Sequence, residues 1–320
     1  IYMGLLPYIE EYLENNGEKY ELEDRLRSER TVARSVVQGF VRGLRPTLNG
    51  RRIKVRDYQI DAIAHAIATD RSLLISPTAS GKSLVIYCLV RYYHMMGLKT
   101  LILVPTTSLV EQMYKDFEDY GWSSGTYCQK IYQGHNKKVE KDVVISTWQS
   151  IYKMPRPYFR QFGVVFGDEA HLFKAKSLTG ILTKLDTCKY RFGLTGTLDG
   201  TQTHRLVLEG LFGKAKYVVT TKELIDNKTL SSLKINCIVL KYPDEDRQIV
   251  KEFDYGAELE YIVTKAERNT FLCNLMGHCN GNTLCLFQFV EKHGEPLYKS
   301  IKDKYKDRKV FFVYGGVNTD

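Results

Sequence analysis

The sequence predicts an α/β fold in which a parallel sheet is covered by helices on both faces. Between residues 57 and 221, short apolar segments alternate with amphipathic stretches such as 83–96 and 107–120. This alternation is typical of strands joined by helical crossovers, and such sheets are buried on both sides. Because parallel sheets bind ligands at the carboxyl ends of their strands, we expect the functional residues there. The predicted strands are 72–76, 100–105, 142–147, 163–168 and 190–195.

The first predicted strand leads into a turn with the sequence Ser-Pro-Thr-Ala-Ser-Gly-Lys-Ser, at residues 76–83. A strand followed by a glycine-containing turn and a helix presents backbone N–H groups and a helix N-terminus to phosphate oxygens. Lys82 adds a charge for the β- and γ-phosphates, and the Ser83 hydroxyl can reach Mg²⁺. The predicted nucleotide-binding residues of this loop are Pro77, Thr78, Ala79, Ser80, Gly81, Lys82 and Ser83.

This loop departs from the full phosphate-loop pattern at its first position, where Ser76 replaces a glycine. Ala79 also stands where glycine is common, so the loop relies on Gly81 for a close approach of backbone to phosphate. Loops of helicases tolerate this composition, whereas those of kinases usually do not. The departure therefore favours a motor over a small-molecule kinase.

A second apolar segment ends in Asp168-Glu169-Ala170-His171. At such a strand end, one carboxylate lies near the metal and the next lies near an attacking water. We therefore predict that Ser83 and Asp168 bind Mg²⁺, and that Lys82, Asp168 and Glu169 are catalytic. Either motif alone is a modest signal, but the two together indicate a site for a nucleoside triphosphate with Mg²⁺.

Arg56, Tyr58 and Gln59 lie upstream of the phosphate loop. A glutamine there can pair with N6 and N7 of adenine through its side-chain amide. A Tyr-Gln pair at a helix start also occurs by chance, so the prediction of an adenine site depends on its position before the loop.

Two further strand ends carry polar turns that could contact nucleic acid. Their hydroxyl and N–H groups can meet phosphates, although the threonines could equally cap the helices that follow. Trp148 could stack on a base or simply belong to the core. The predicted nucleic-acid contacts are Pro105, Thr106, Thr107, Thr147, Trp148 and Gln149.

The chain is predicted to have three parts. Residues 1–50 are expected to be mostly helical and too short for a domain of their own, so they are either a docking arm or the remnant of a DNA-binding domain. Residues 51–225 hold the pattern described above. Residues 226–320 begin a second α/β pattern that is expected to be incomplete, because a full lobe needs further strand–helix units. Its predicted strands are 235–240, 284–289 and 310–314, and its predicted helices are 257–279 and 291–306.

Composition narrows the class of protein. A hydrophobic content of 43% and a charged content of 26% are typical of soluble globular proteins. No apolar segment has the length of a membrane span, and the N-terminus lacks the pattern of a signal peptide. Seven scattered cysteines indicate reduced thiols and a cytoplasmic location. The net charge of +9 is compatible with a nucleic-acid partner.

The order of these motifs resembles that of the superfamily 2 helicases of the DEAH-box-like type. The resemblance rests on Arg-x-Tyr-Gln at 56–59, Pro-Thr-x-x-Gly-Lys-Ser at 77–83, Pro-Thr-x-x-Leu at 105–109, Asp-Glu-Ala-His at 168–171 and Thr-Gly-Thr at 195–197. It covers about 140 residues and is specific as a set.

A narrower resemblance is to the recombination and repair helicases of T-even-like phages. It is carried by the segments 103–109, 146–149 and 192–198, and it extends over most of the chain from about residue 55 onward. It implies a RecA-like lobe followed by an incomplete second RecA-like lobe. It also implies a motor that uses ATP and Mg²⁺ on branched or forked DNA, as a monomer in the host-cell cytoplasm.

The resemblance also implies residue roles. His171, Thr195, Gly196 and Thr197 would couple the nucleotide state to DNA, and Gln59 would select adenine. The family also carries a C-terminal Gln-x-x-Gly-Arg-x-x-Arg stretch and a complete N-terminal DNA-binding domain that this sequence does not contain. We therefore expect a C-terminally truncated motor whose catalytic site is half-built.

Three other functions remain open at this stage. The chain could be another superfamily 2 motor, such as an RNA helicase or a restriction-type translocase, because no residue separates DNA from RNA. It could be a small-molecule kinase, although residues 168–171 followed by 195–197 disfavour that class. It could also be a nucleotide-binding module without turnover.

Overall fold

The computed structural model describes residues 2–23, 30–172, 176–198 and 202–315. The outer ends of the predicted first and third parts, residue 1 and residues 316–320, lie outside these ranges. The chain forms two compact units, 1–233 and 234–320. None of the helices within the described ranges has both the length and the apolar composition needed to cross a membrane.

A seven-stranded sheet organises the first unit, and its strand order is β5-β6-β4-β7-β8-β3-β9. Every neighbouring pair in this sheet is parallel. The predicted parallel α/β fold is therefore confirmed. The strands are β3 (Arg71–Ile75), β4 (Thr100–Val104), β5 (Cys128–Ile131), β6 (Val143–Thr147), β7 (Val164–Asp168), β8 (Tyr190–Thr195) and β9 (Ala215–Tyr217).

Helices cover both faces of this sheet because its strands are apolar on both sides. Leu74 and Ile102 belong to one buried cluster, whereas Leu73 and Leu101 belong to a second cluster on the opposite face. Helices α2 to α5 pack on the first face and α7 to α10 on the second. Their bounds are α2 (Arg34–Leu44), α3 (Asp57–Thr69), α4 (Lys82–Met95), α5 (Thr107–Asp119), α6 (Ser124–Tyr127), α7 (Trp148–Ile151), α8 (Arg156–Phe159), α9 (Lys176–Lys184), α10 (Gln202–Phe212) and α11 (Thr221–Asp226).

The N-terminal residues are part of the first unit. A 3-10 helix (Met3–Leu5) and α1 (Leu6–Asn15) precede α2, and the Tyr8 hydroxyl donates to Glu209 on α10 at 2.5 Å. A side chain at Gly4 would collide with the Glu209 carbonyl, so the 3-10 helix lies directly on α10. A short antiparallel hairpin, β1 (Thr47–Leu48) and β2 (Arg51–Arg52), connects α2 to α3.

Two strands of the sheet were not predicted from the sequence. Strands β5 and β9 lie at the two edges of the sheet and are only 4 and 3 residues long. Edge strands are half-solvated, and β9 has no buried residue. Their residues therefore lack the continuous apolar pattern by which the central strands are recognised.

The second unit contains helices but, among its described residues, no paired strand. The predicted strands 235–240, 284–289 and 310–314 are wrong, because a strand requires a hydrogen-bonded neighbour and these segments pair with none of the described residues. Leu284 and Leu286, in one of these segments, are each 83% exposed. The helices are α12 (Asp244–Val250), α13 (Tyr255–Thr264), α14 (Ala266–His278), a π-helical turn (Val290–Gly294) and α15 (Glu295–Lys304).

Candidate nucleotide and nucleic-acid site

The strand order brings the predicted nucleotide motifs to one edge of the sheet. Strand β8 lies between β3 and β7, with Thr195 opposite Ile75 and Leu194 opposite Asp168. The Ser76 N–H donates to the Thr195 carbonyl at 2.8 Å. The phosphate loop, the Thr195 turn and the Asp-Glu pair therefore lie side by side at the carboxyl ends of three adjacent strands.

The phosphate loop is closed by its own hydrogen bonds. The Ser76 and Ser80 hydroxyls lie 2.7 Å apart, so the serine that replaces the usual glycine fastens the two ends of the turn. Gly81 has a φ of 84°, and a Cβ there would lie 2.3 Å from Gln59 Nε2. Only glycine suits this position, on both conformational and steric grounds. Ala79 also has a positive φ of 63°, which is unfavourable for a residue with a side chain.

Gln59 lies behind the loop and holds it. Its Nε2 donates to the Ser80 carbonyl at 2.8 Å, and its Oε1 accepts from the Arg56 N–H at 2.9 Å. The Tyr58 hydroxyl donates to the same Ser80 carbonyl at 2.9 Å, and Arg56 donates to that hydroxyl at 2.8 Å. The three residues of the predicted adenine site thus form one hydrogen-bonded layer against the loop. Their contact with a base stays a prediction.

Helix α4 begins at Lys82, directly after the loop. Its free N–H groups and partial positive charge make the loop suitable for phosphate oxygens. The Lys82 ammonium lies 3.4 Å from the Ser76 carbonyl, a weak contact that leaves it close to the loop. The Ser83 hydroxyl, one residue further on, lies 2.8 Å from the Tyr120 hydroxyl.

Asp168 is the most unusual carboxylate of the site. It is 8% exposed, and its Oδ1 has no hydrogen-bond partner among the described residues. Burial, and then the neighbouring charge of Glu169, raise the pKa of Asp168 to about 6. A buried acceptor without a donor is rare, and a cation is one way to satisfy it. The residue therefore fits the predicted Mg²⁺ role.

The described residues contain no group of three or more His, Cys, Asp or Glu side chains placed to hold a metal. Mg²⁺ that is bound together with a nucleotide commonly takes one or two protein ligands and completes its shell with phosphates and water. Ser83 and Asp168 are the residues that would hold it.

Glu169 and His171 link the Asp-Glu strand end to β8. Glu169 has a φ of 51°, a strained backbone of the kind that clusters at functional sites. His171 Nδ1 lies 2.9 Å from the Thr195 hydroxyl and 3.4 Å from the Glu169 carboxylate. The Thr195 hydroxyl donates in turn to the Thr197 carbonyl at 2.9 Å, and Gly196 lies beside the phosphate loop. The four predicted coupling residues are thus connected to the predicted catalytic glutamate.

The predicted nucleic-acid turns meet on the other half of the sheet. Val104 pairs with Thr147, which brings together the ends of β4 and β6, and Gln149 donates to the Pro105 carbonyl at 3.3 Å. The Thr106 hydroxyl caps α5 by accepting from the Leu109 N–H at 3.3 Å. The capping role that the sequence left open for this threonine is therefore formed.

The remaining turn residues have similar local roles. The Thr147 hydroxyl bonds to that of Ser150 at 2.8 Å, and Trp148 packs partly buried against the core beside Tyr152. Thr107 is the first residue of α5 and is exposed. Contacts of these residues with nucleic acid stay a prediction.

Sequence reasoning missed two residues at the site, Asp116 and Tyr120. Both lie at the C-terminal end of α5, where the Tyr120 N–H donates to the Asp116 carbonyl at 2.8 Å. Their spacing of four places them on one face of the helix, but no local pattern indicates that this face meets Ser83. Burial raises the pKa of Asp116 above its ordinary value and that of Tyr120 to about 12, against the opposing effect of the Ser83 hydroxyl in both cases.

The chain is similar in sequence to several known proteins. The family described as type III restriction enzyme, res subunit, matches residues 52–200. The chain is 34% identical, over 99% of its length and 64% of the relative, to the ATP-dependent DNA helicase uvsW of Enterobacteria phage T4. It is 25% identical, over 72% of its length and 48% of the relative, to the DNA 3'-5' translocase XPB2 of Sulfurisphaera tokodaii.

The fold agrees as well. A crystal structure of the UvsW helicase from bacteriophage T4 matches with a TM-score of 0.63 and 34% identity, over 68% of this chain and 79% of that one. The chain spans less than two thirds of the length of the two curated relatives named above.

Proposed function

Because this chain belongs to the superfamily 2 helicases, we propose that it is the motor part of an ATP-driven DNA helicase or translocase. The observation that carries the proposal is that the phosphate loop and Asp168 lie at the same edge of the sheet, at the ends of β3 and β7 on either side of β8. A loop that can bind phosphates lies next to a buried carboxylate oxygen that has no donor among the described residues. This is the arrangement that Mg·ATP requires.

The loop would bind the triphosphate. The backbone N–H groups of residues 77–81 and the N-terminus of α4 would surround the β-phosphate, and Lys82 would contact the β- and γ-oxygens. Ser83 and Asp168 would hold Mg²⁺, which neutralises charge on the phosphates when it is bound. The layer of Arg56, Tyr58 and Gln59 would lie against the adenine side of the nucleotide.

Glu169 would orient the attacking water and accept its proton. Its carboxylate is about one third exposed, so water can reach it, and His171 lies 3.4 Å away. His171 also contacts Thr195, so a change at the γ-phosphate would alter the contacts of β8. We propose that this connection couples nucleotide state to the DNA-binding turns on β4 and β6.

Branched or forked DNA is the proposed substrate, through likeness to the phage helicase. The proposed DNA contacts are the exposed turns before α5 and at α7, supported by the net charge of +9. We further propose a monomer that acts in the cytoplasm of a host cell. Seven free thiols are compatible with a reducing compartment. An RNA helicase is a second candidate, since no residue of the site separates the two nucleic acids.

The test is phosphate release measured without DNA, with linear duplex and with a forked substrate. We expect stimulation by DNA, strongest with the fork, and a steep loss of stimulation as salt rises. Glu169→Gln should lower the rate by about two to four orders of magnitude while ATP still binds. The exposed Glu140→Gln is the matched control and should behave as the wild type.

The outcomes separate the candidate functions. Phosphate release that is stimulated by RNA but not by DNA would favour the RNA helicase. Phosphate release that neither nucleic acid stimulates would contradict a nucleic-acid motor. Equal stimulation by linear and forked DNA would contradict the proposed preference for branches.

A further inference from the structure

The hydroxyl of Tyr120 contacts Ser83, the predicted magnesium ligand, from outside the phosphate loop. The residue directly follows α5, is 8% exposed, and its ring packs on the buried ring of Tyr87 with centroids 5.2 Å apart. Its hydroxyl leaves this aromatic cluster and lies 2.8 Å from the Ser83 hydroxyl. The backbone around it is held as well, because its carbonyl accepts from the Thr47 N–H of the N-terminal hairpin.

The hydrogen-bonding capacity of serine leaves room for a cation beside this contact. A serine hydroxyl has one hydrogen to donate and two lone pairs, and a phenol can donate or accept. Whichever of the two hydroxyls donates, at least one lone pair of Ser83 Oγ remains, and a cation can take it. We propose that Tyr120 is a positioning residue that orients the Ser83 hydroxyl so that a free lone pair faces the Mg²⁺ of Mg·ATP.

The inference rests on the proposed function, because it assigns Ser83 to the magnesium of a nucleotide complex. It extends that function to a helix outside the recognised motifs. Helix α5 follows the turn of Pro105 and Thr106, so the element that begins at a proposed DNA contact ends at the proposed metal ligand. Tyr120 acts here through Ser83 and does not touch the nucleotide itself.

The experiment measures equilibrium binding of a fluorescent ATP analogue as a function of free Mg²⁺. Tyr120→Phe keeps the ring in the aromatic cluster and removes only the hydroxyl. We expect the half-saturating Mg²⁺ concentration to rise about three- to tenfold, the loss typical of one oriented hydrogen bond. Affinity measured in EDTA should not change, because the phosphate loop itself is untouched.

Tyr87→Phe is the matched control. Tyr87 belongs to the same aromatic cluster. Its hydroxyl accepts from Arg91 at 2.8 Å and donates weakly to the Tyr120 carbonyl at 3.5 Å, and neither partner is Ser83. This variant should keep the wild-type Mg²⁺ dependence. The readout thus separates the Tyr120 hydroxyl from the packing of the cluster.

A double-mutant cycle tests whether Tyr120 acts through Ser83. Ser83→Ala should raise the Mg²⁺ requirement, and adding Tyr120→Phe to it should have no further effect. A wild-type Mg²⁺ response in Tyr120→Phe, a fully additive double mutant, or an equal loss of affinity in EDTA would each overturn the inference. Absence of Mg²⁺-dependent nucleotide binding by the wild-type chain would instead contradict the proposed function.

Discussion

The phosphate loop and the Asp-Glu strand end lie on the same edge of the sheet with one strand between them, yet they are stabilised in opposite ways. In the loop, the Ser80 carbonyl accepts hydrogen bonds from Tyr58 and Gln59, and the Ser80 hydroxyl bonds to the Ser76 hydroxyl. At the strand end, Asp168 keeps a buried oxygen without a donor among the described residues, and Glu169 has a strained backbone.

The difference indicates that the loop and the strand end contribute to the site in separate ways. The loop is organised before any ligand binds, so little reorganisation is needed to receive phosphates. The strand end holds a buried negative charge that is unfavourable in the absence of a ligand, and a bound cation would neutralise it. Stability and function should therefore agree in the loop and conflict at the strand end.

The largest expected effect comes from removing the charge of the loop. Lys82→Ala should weaken ATP binding by about 100-fold, the size of a lost charge-assisted contact of roughly 2–3 kcal/mol. Its unfolding free energy should stay near that of the wild type. Titration calorimetry with Mg·ATP measures the affinity, and the exposed Lys115→Ala is the control. Unchanged affinity in Lys82→Ala would remove residues 76–83 from the nucleotide site.

The strand end should show the opposite sign in stability. Ionised Asp168 is disfavoured in the folded state, because its pKa is raised from 3.8 to about 6. Asp168→Asn should therefore raise the unfolding free energy at neutral pH by about 1–3 kcal/mol, while Mg²⁺-dependent nucleotide binding is lost. Chemical denaturation at several pH values measures the gain.

The sign of the pH dependence follows from the direction of that shift. Wild-type Asp168 becomes protonated in the folded state as pH falls through about 6, so its unfavourable contribution decreases and disappears near its ordinary pKa of 3.8. The advantage of Asp168→Asn should shrink over the same interval. Glu169→Gln, at a side chain about one third exposed, is the comparison: it removes only the neighbouring charge and should raise stability by less than Asp168→Asn does. An Asn variant less stable than the wild type at neutral pH would contradict the assigned conflict.

Within the loop, Gly81→Ala should lower stability by about 1–3 kcal/mol. The new Cβ requires a backbone with a φ of 84°, and it would lie 2.3 Å from Gln59 Nε2. Combining it with Gln59→Ala removes the collision and leaves only the backbone strain. We therefore expect the double variant to lose less than the sum of the two single variants in urea denaturation. Simple additivity would show that no collision with Gln59 adds to the backbone strain at residue 81.

The smallest effect is expected from Ala79→Gly. Glycine relieves the strain of a φ of 63° but adds freedom to the unfolded chain, so the net change should be within about 1 kcal/mol and not destabilising. Ala64→Gly in the middle of α3 is the matched control and should cost about 1 kcal/mol. A loss in Ala79→Gly as large as in the control would mean that the alanine is not strained.

Much of this architecture could be predicted because its signals are local. The five central strands lie within a residue or so of their predicted positions, since each is a continuous apolar segment between polar turns. The phosphate loop could be located in the same way, because a strand, a glycine turn and a lysine follow one another in the chain. Strands β5 and β9 escaped prediction because edge strands carry little apolar pattern.

The second unit illustrates the limit of local pattern. Two segments, 284–289 and 310–314, have the composition of strands. Neither forms strand-pairing hydrogen bonds with any of the described residues. Apolar and β-branched residues favour an extended backbone, but a strand exists only when another strand completes its hydrogen bonds. The same limit applies to Thr106, which the sequence left open between capping and nucleic-acid binding.

The sequence alone is enough to predict the class of the fold, the positions of the central strands and the chemistry expected of two motifs, since these depend on neighbours along the chain. Three other features become visible only in three dimensions: β8 separates the two motifs, Gln59 lies beneath Gly81, and Tyr120 reaches Ser83 from 37 residues away. Such contacts depend on how helices pack across a sheet. That packing is set by the shape and burial of many side chains together, and no short segment carries it.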